Sequence, residues 1–242
     1  MPSSCKYAAP VDNFTAAVSV INTVTDVVLG ALQGAAYDFA IDAKARALVP
    51  LVGSIIGQEG EQNGAYRLYL DRVPSSSPFL TAVPAQFAWS ALQLFVVPGS
   101  CDYSLSKIDL PIFPPLMVNG GPIAVVQPKN QTLYLSANLS DSSEGKKYAG
   151  KNGTGLYATF VTGQQAPYSM NVSNVKWDDD MIKFEAEFPY DYLVAGGFSH
   201  VSLTTGNNFT NVSMVPNMTL AAPGVIQVNN TAKIESLNMT KH

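Results

Sequence analysis

Few residues in this chain combine a reactive side chain with a spacing that could serve chemistry. The densest group lies in Ser54-Ile-Ile-Gly-Gln-Glu-Gly-Glu-Gln-Asn-Gly-Ala-Tyr-Arg67. There Ile55, Glu59, Gln62, Tyr66 and Tyr69 recur every three or four residues, a spacing that places them on one stripe of a helix. A carboxylate such as Glu59 could face a cavity, where it would need hydrogen-bond partners that Gln62 and Tyr66 can supply. It could equally be solvated, or paired with Arg67 or Arg46, and the sequence leaves both readings open. The only histidines are His200, in an expected strand, and His242, the last residue. Without a G-x-S-x-G turn, His200 reads as structural rather than as part of a hydrolase triad. No G-x-G-x-x-G or Walker pattern offers a nucleotide cradle. Asp178–Asp179–Asp180 supplies oxygens that a hard cation would accept, but it follows Trp177 at an expected hairpin tip and lacks the spacing of a calcium loop, so it reads as a turn. Phe14, Tyr37, Tyr66, Phe87 and Trp89 are either core side chains or the lining of a pocket for an apolar ligand.

The elements that would position these residues change character near residue 100. A first helix is expected from a cap at Asp12 or Asn13 to about Phe39. Within it Gly30, Ala31, Gly34, Ala35 and Ala36 form a small-residue patch that would let another helix approach closely. A second helix is expected from an Asp42 cap to about Asp71, kinked at Pro50, and a third from Pro84 to about Phe95. The very short connection at Ala40–Ile41 makes the first two antiparallel neighbours. Beyond Pro98–Gly99, strands are expected at Ile123–Val126, Thr132–Ala137, Leu156–Thr162, Ser169–Val175, Ile182–Phe188, His200–Thr204, Val212–Val215 and Gly224–Val228. That spacing suggests an antiparallel β-sandwich. The expected architecture is α+β, with a helical region over 1–104 and a sandwich region over 105–242.

Hydrophobic residues make up 47% of the 242 residues, enough for a sizeable core, while charged residues are only 13%, about half the usual share. The net charge is −4 and the densest basic patch, Lys146, Lys147 and Lys151, lies in a Gly/Ser-rich loop, so no nucleic-acid partner is expected. No unbroken apolar run reaches the roughly 18 residues that span a bilayer; Val27–Ala36 comes closest, so no membrane partner is expected. The N-terminus lacks the charged and apolar regions of a signal peptide. The chain is therefore cytoplasmic if Met1 is the native start, or a processed, secreted or cell-surface chain. N-x-S/T sequons at Asn13, Asn130, Asn138, Asn152, Asn171, Asn208, Asn211, Asn217, Asn229 and Asn238 favour the second, although a surface solubilised by Asn and Thr also raises their number. Cys5 and Cys101, the only cysteines, could pair.

The Ser54–Arg67 segment resembles the fungal ferritin-like proteins of the late-sexual-development and stress-response type, in which a helix reads S-I-x-x-x-E-A-x-H-x-x-x-x-R. The pattern's Glu falls on Glu59, its His on Gln62 and its Arg on Arg67. The family's preceding helix, L-E-D-V-G-x-x-A-Y-x-G-A-A, resembles Val24–Ala36; its Glu falls on Thr25, while Asp26, Val27, Gly34, Ala35 and Ala36 agree. Phe95-Val-Val-Pro-Gly-Ser-Cys101 is also similar to the fungal branch. The resemblance implies a ferritin-like helical hairpin over roughly residues 12–104. A di-metal site of that fold needs a Glu from each of two helices and a Glu-x-x-His pair from each of two others. Here the imidazole is replaced by Gln62 and the lone Glu by Thr25, and the family's first helix pair is missing, so no metal is expected.

A bundle without metal ligands still has a cavity between its helices. The resemblance extends to mushroom pigment-binding chromoproteins and implies a non-enzymatic chain that binds a small apolar, conjugated ligand, a polyene-type organic pigment. The expected lining is Thr25, Tyr37, Glu59, Gln62, Tyr66, Phe87 and Trp89. Two hairpins related by a twofold axis would rebuild a four-helix bundle, so a homodimer is expected. The alternatives are a ligand-free structural or developmental protein of the fungal surface or fruiting body, and a degenerate metalloprotein completed by a partner chain.

Overall fold

The structure, a computed structural model, describes residues 5–9 and 11–229. Met1, the sequon at Asn238 and His242 lie outside the described residues. The chain is α+β, with long helices in its N-terminal half and two sheets beyond them.

Helix α1 spans Phe14–Ile41, and the Asn13 side chain accepts a hydrogen bond from the Ala16 N–H at 2.9 Å, as the cap requires. The second helix begins later than expected. Asp42 closes α1, its carboxylate accepts from the Lys44 N–H, and residues 46–48 form one 3-10 turn before α2, Val49–Tyr69. Pro50 therefore stands in the first turn of α2, where its missing N–H has no intrahelical partner to lose, and the expected interior kink does not arise. Phe14 packs on Tyr69 and Asn22 bonds Asn63, so α1 and α2 run antiparallel. A short helix α3, Ala85–Gln93, follows with Pro84 just outside it.

By length and composition α1 could cross a membrane, a property hidden from a search for unbroken apolar runs because Asp26 and Gln33 interrupt it. The small-residue patch on α1 meets the expectation only in part. A Cβ on Gly30 would stand 2.3 Å from the Thr81 carbonyl oxygen and 2.5 Å from a Val83 methyl. At Gly30 the close approach is made by the extended segment before α3, whose Thr81 and Val83 are buried, while Ala31 and Ala35 of the patch face helix α3 across a gap.

The four-stranded sheet has the order β1 (Met117–Val118), β3 (Gln131–Asn138), β7 (Met181–Phe188), β6 (Ser173–Asp178), all antiparallel. The five-stranded sheet has the order β2 (Ile123–Val126), β9 (Thr219–Val228), β8 (Phe198–Thr204), β4 (Tyr157–Thr162), β5 (Tyr168–Asn171). Its β2 runs parallel to β9, so the β half is not wholly antiparallel as expected. The single strand expected at Ser169–Val175 is two strands, one in each sheet. Val212–Val215 belongs to a 3-10 segment, Val212–Met218, that contains Pro216, which cannot donate to a ladder. Asp179 adopts φ +50° in the turn between β6 and β7, as the reading of the Asp triplet as a turn required.

Burial alternates along β3 and β7, whose outer face meets solvent, whereas every residue of β8 is buried. The reason is layering. Val201 and Leu203 of β8 pack with Leu133, Leu135, Phe184 and Ile182 of the other sheet, while Phe198 packs with Val27 of α1 and Phe87 of α3. The five-stranded sheet is thus covered on both faces, and one apolar cluster crosses from the helical half into the β half. Cys5 and Cys101 form a disulfide that ties the N-terminal arm to the chain beyond α3. Closing a loop of that length restricts the unfolded chain by about 4–5 kcal/mol in the chain-entropy account.

Candidate functional site

Two cavities flank α1. A helix advances 100° per residue, so Val24, Val28, Ala31 and Ala35 share one side while Asp26 and Leu29 share the opposite one.

The first cavity, about 380 Å³, lies between α1, α3 and the β2–β9 strands. It exists because small residues oppose each other: Ala31 and Ala35 on α1 meet Ala85, Ala88 and Ala91 on α3, where leucines would close the gap. Val27, Leu92, Phe95 and Val225 complete an almost wholly apolar wall. Two polar side chains line it. The Thr23 hydroxyl donates to the Ser19 carbonyl at 2.9 Å and is satisfied. The Trp89 indole Nε1–H is buried and has no acceptor among the described residues. An indole N–H normally finds a partner when buried, and leaving one unpaired costs roughly 1–3 kcal/mol.

The second cavity, about 240 Å³, lies between α1, α2 and the loop 74–81. Its floor is a buried polar network. Asn63 Nδ2 donates to Asp26 Oδ1 and Gln227 Nε2 to Asp26 Oδ2, both at 2.7 Å. Asn22 donates to Asn63 and accepts from Arg72 Nη1 at 3.2 Å. Arg67 Nη1 stands 4.0 Å from Asp26 Oδ2. Burial raises the Asp26 carboxyl above its ordinary range, against the opposing pull of Gln227, Arg67, Asn63 and Arg72. Burial likewise lowers Arg67, against the attraction of Asp26. Both shifts point the same way: for this pair desolvation outweighs mutual attraction.

The seven residues expected to line a ligand site are not brought together. Trp89 lines the apolar cavity. Thr25 is buried in α1 but lines neither cavity, and Tyr37 is exposed. On α2, Glu59 and Tyr66 are half-buried and Gln62 is exposed. Phe87 is fully buried, edge-on to Phe113 and His200. The stripe of α2 that turns inward is Val52, Asn63 and Arg67, rotated about one residue from the expected stripe. Asp26 and Arg67, which agree with the pattern that the segments resemble but lie outside the expected lining, stand 4.0 Å apart. Asparagine is a poor interior helix former, so Asn22 and Asn63 carried a signal that a search for carboxylates and imidazoles passes over.

Among the described residues no three His, Cys, Asp or Glu side chains gather in one place. No protein-family model matches the chain, and no curated protein matches it.

Proposed function

We propose that this protein is a non-enzymatic carrier of a small apolar, conjugated molecule, an organic pigment, held in the cavity between α1 and α3. The observation that carries the reading is an apolar cavity of about 380 Å³, within the size range of small-molecule sites, lined by Trp89, whose buried Nε1–H is unpaired among the described residues. A flat conjugated ligand would stack on the indole or the Phe95 ring, and a carbonyl on it would accept the Nε1–H. The ferritin-like origin of the hairpin and the sandwich form of the β half belong to this proposal. The antiparallel α1–α2 pair and the core shared by the two sheets support them. The homodimer belongs to this proposal too, supported by Tyr37, Ile41, Leu51, Ile55 and Leu68, exposed apolar side chains on the hairpin that a second copy could cover. A secreted or cell-surface location is supported by the disulfide, which oxidising compartments preserve.

The test is the absorption spectrum of the chain purified from its native source, followed by binding of Nile red to the ligand-stripped protein. A visible band that co-elutes and is lost on denaturation, with Nile red binding abolished by Ala35→Leu, is expected. Absorption confined to the aromatic band, with dye binding unaffected by that substitution, would remove the proposal. The second reading, a ligand-free glycosylated structural protein, has its own support. Asn13, Asn130, Asn138, Asn152, Asn171, Asn208, Asn211 and Asn217 are all exposed. Glycan at these positions together with an empty spectrum would put it ahead.

A further inference from the structure

We propose that the polar cavity on the other side of α1 is a second binding site, which takes the carboxylate of a small organic acid on Arg67 and lays its apolar remainder against Leu29, Phe79 and Phe198.

Arg67 is 3% exposed, and its guanidinium is only partly satisfied. Nε donates to the Val73 carbonyl at 2.7 Å. Nη1 faces Asp26 at 4.0 Å, beyond hydrogen-bond reach. Nη2 is buried without any partner among the described residues. Asp26 is not free to complete the pair, because each of its oxygens already accepts a 2.7 Å bond, from Asn63 and from Gln227. The network therefore holds the carboxylate back and leaves the guanidinium of Arg67, which lines the cavity, with one donor unpaired among the described residues. A guanidinium edge with free donors matches a carboxylate.

Gly197 lies beside that edge and lets Ser76 pack there. It sits at φ +71°, and a Cβ there would stand 3.5 Å from Arg67 Nη2 and 2.0 Å from Ser76 Oγ. The charges select the valence of the anion. Arg67 and Arg72 face one carboxylate, Asp26, which leaves one positive charge to neutralise. A dianion would add a second negative charge beside Asp26 across the same guanidinium. The remaining wall selects the body of the ligand. The Thr81 hydroxyl is used within the fold, donating to the Phe198 carbonyl and accepting from the Gly163 N–H. Leu29, Phe79 and Phe198 present apolar surface beside it. Exposed Ser75 and Pro78 mark the open side, through which a ligand enters.

The test is calorimetric titration of the dialysed full chain at pH 7 with benzoate, benzamide and inorganic phosphate. Benzoate is expected to bind saturably, one per chain, at least tenfold tighter than benzamide or phosphate. Gly64→Leu is the occluding variant. It lines this cavity, and its Cβ would meet nothing nearer than Pro74 Cβ at 3.9 Å, so the helix is kept while the space is filled. It is expected to retain the wild-type circular dichroism and lose benzoate binding. Arg67→Lys keeps the charge but not the planar fork and is expected to weaken benzoate at least tenfold. Ala35→Leu, in the other cavity, is expected to leave benzoate binding unchanged, which separates this site from the proposed carrier site. No benzoate binding, equal binding of benzamide, or full binding in folded Gly64→Leu overturns the proposal.

Discussion

On one side of α1 five alanines from two helices leave a gap with no charge around it; on the other, Asp26, Arg67 and Asn63, backed by Arg72, Asn22 and Gln227, line a gap of about two-thirds the size. Both gaps share a floor, the helix-facing side of β8 and β9, through Phe198 and Val225. The difference lies in what each gap costs when empty. An apolar gap forfeits dispersion contacts and little else. A polar gap leaves desolvated donors that only a partner can satisfy. Substitutions on the two sides should therefore differ in size and even in sign.

The largest effect is expected from Asp26→Ala. It leaves Arg67 and Arg72 without their buried counter-charge, and Asn63 and Gln227 without an acceptor. Removing one member of such a set costs about 3–5 kcal/mol, read as a shift in the urea midpoint. A loss under about 1 kcal/mol would mean that water already fills this side and that the contrast between the cavities is false.

The shared floor carries the next effect. His200 Nε2 donates to the Ala82 carbonyl at 2.9 Å, and Nδ1 is buried without a donor among the described residues. Burial lowers this imidazole to about 4, against the opposing bond to Ala82. The unfolded chain binds the proton near 6.5, so between those values it holds more proton than the native state. Stability contributed by neutral His200 is thus complete above about 6.5 and is lost as pH falls toward 4, by on the order of 3 kcal/mol. Asp26, whose carboxyl is raised, works in the opposite sense and gains stability as pH falls through its own window. Urea midpoints between pH 7.5 and 4.5, compared with His200→Gln, isolate the histidine: the variant should show a shallower fall. An unchanged slope would remove His200 as the cause.

Much of this arrangement was legible in the chain and some could not have been. Helix α1 announces itself through its Asn13 cap and apolar periodicity. The alternation of β3 and β7 is plain because one face meets water. The face of α2 was not legible, because its glycines, glutamines and apolar residues favour no side; what turns it inward is Asn63 meeting Asn22 across 41 residues. The break between β5 and β6 was hidden for a related reason. Ser169–Val175 reads as one run because both pieces suit a strand, and only the second sheet explains why the chain leaves the first. The apolar cavity is half visible in the sequence: the small-residue patch on α1 is plain, but the alanines of α3 that oppose it lie some 50 residues on.

A third, smaller effect comes from neighbouring positions on α1. Gly30→Ala would force a methyl to 2.3 Å from the Thr81 carbonyl oxygen, which belongs to backbone and has little room to retreat. Overpacking of this kind costs about 1–3 kcal/mol, despite alanine's better helix propensity. A gain in thermal midpoint instead would show that the 81–83 segment yields and that α1 is not clamped there.

The smallest effect reverses the sign. Ala35 faces the apolar cavity, so Ala35→Leu should place its added carbons in existing space. Three buried methyl or methylene groups are worth about 2 kcal/mol at full burial, and partial burial with the lost rotamer freedom leaves a gain of about 1 kcal/mol. The same substitution should block an apolar ligand, so a protein stabilised by its own side chain would lose its cargo. Differential scanning calorimetry of stripped protein, with and without Nile red, reads both effects at once. A higher midpoint that no longer responds to dye is the expected result. A lower midpoint would mean that the alanines already pack as tightly as the rest of the core, and the contrast drawn between the two sides of α1 would then rest on the polar side alone.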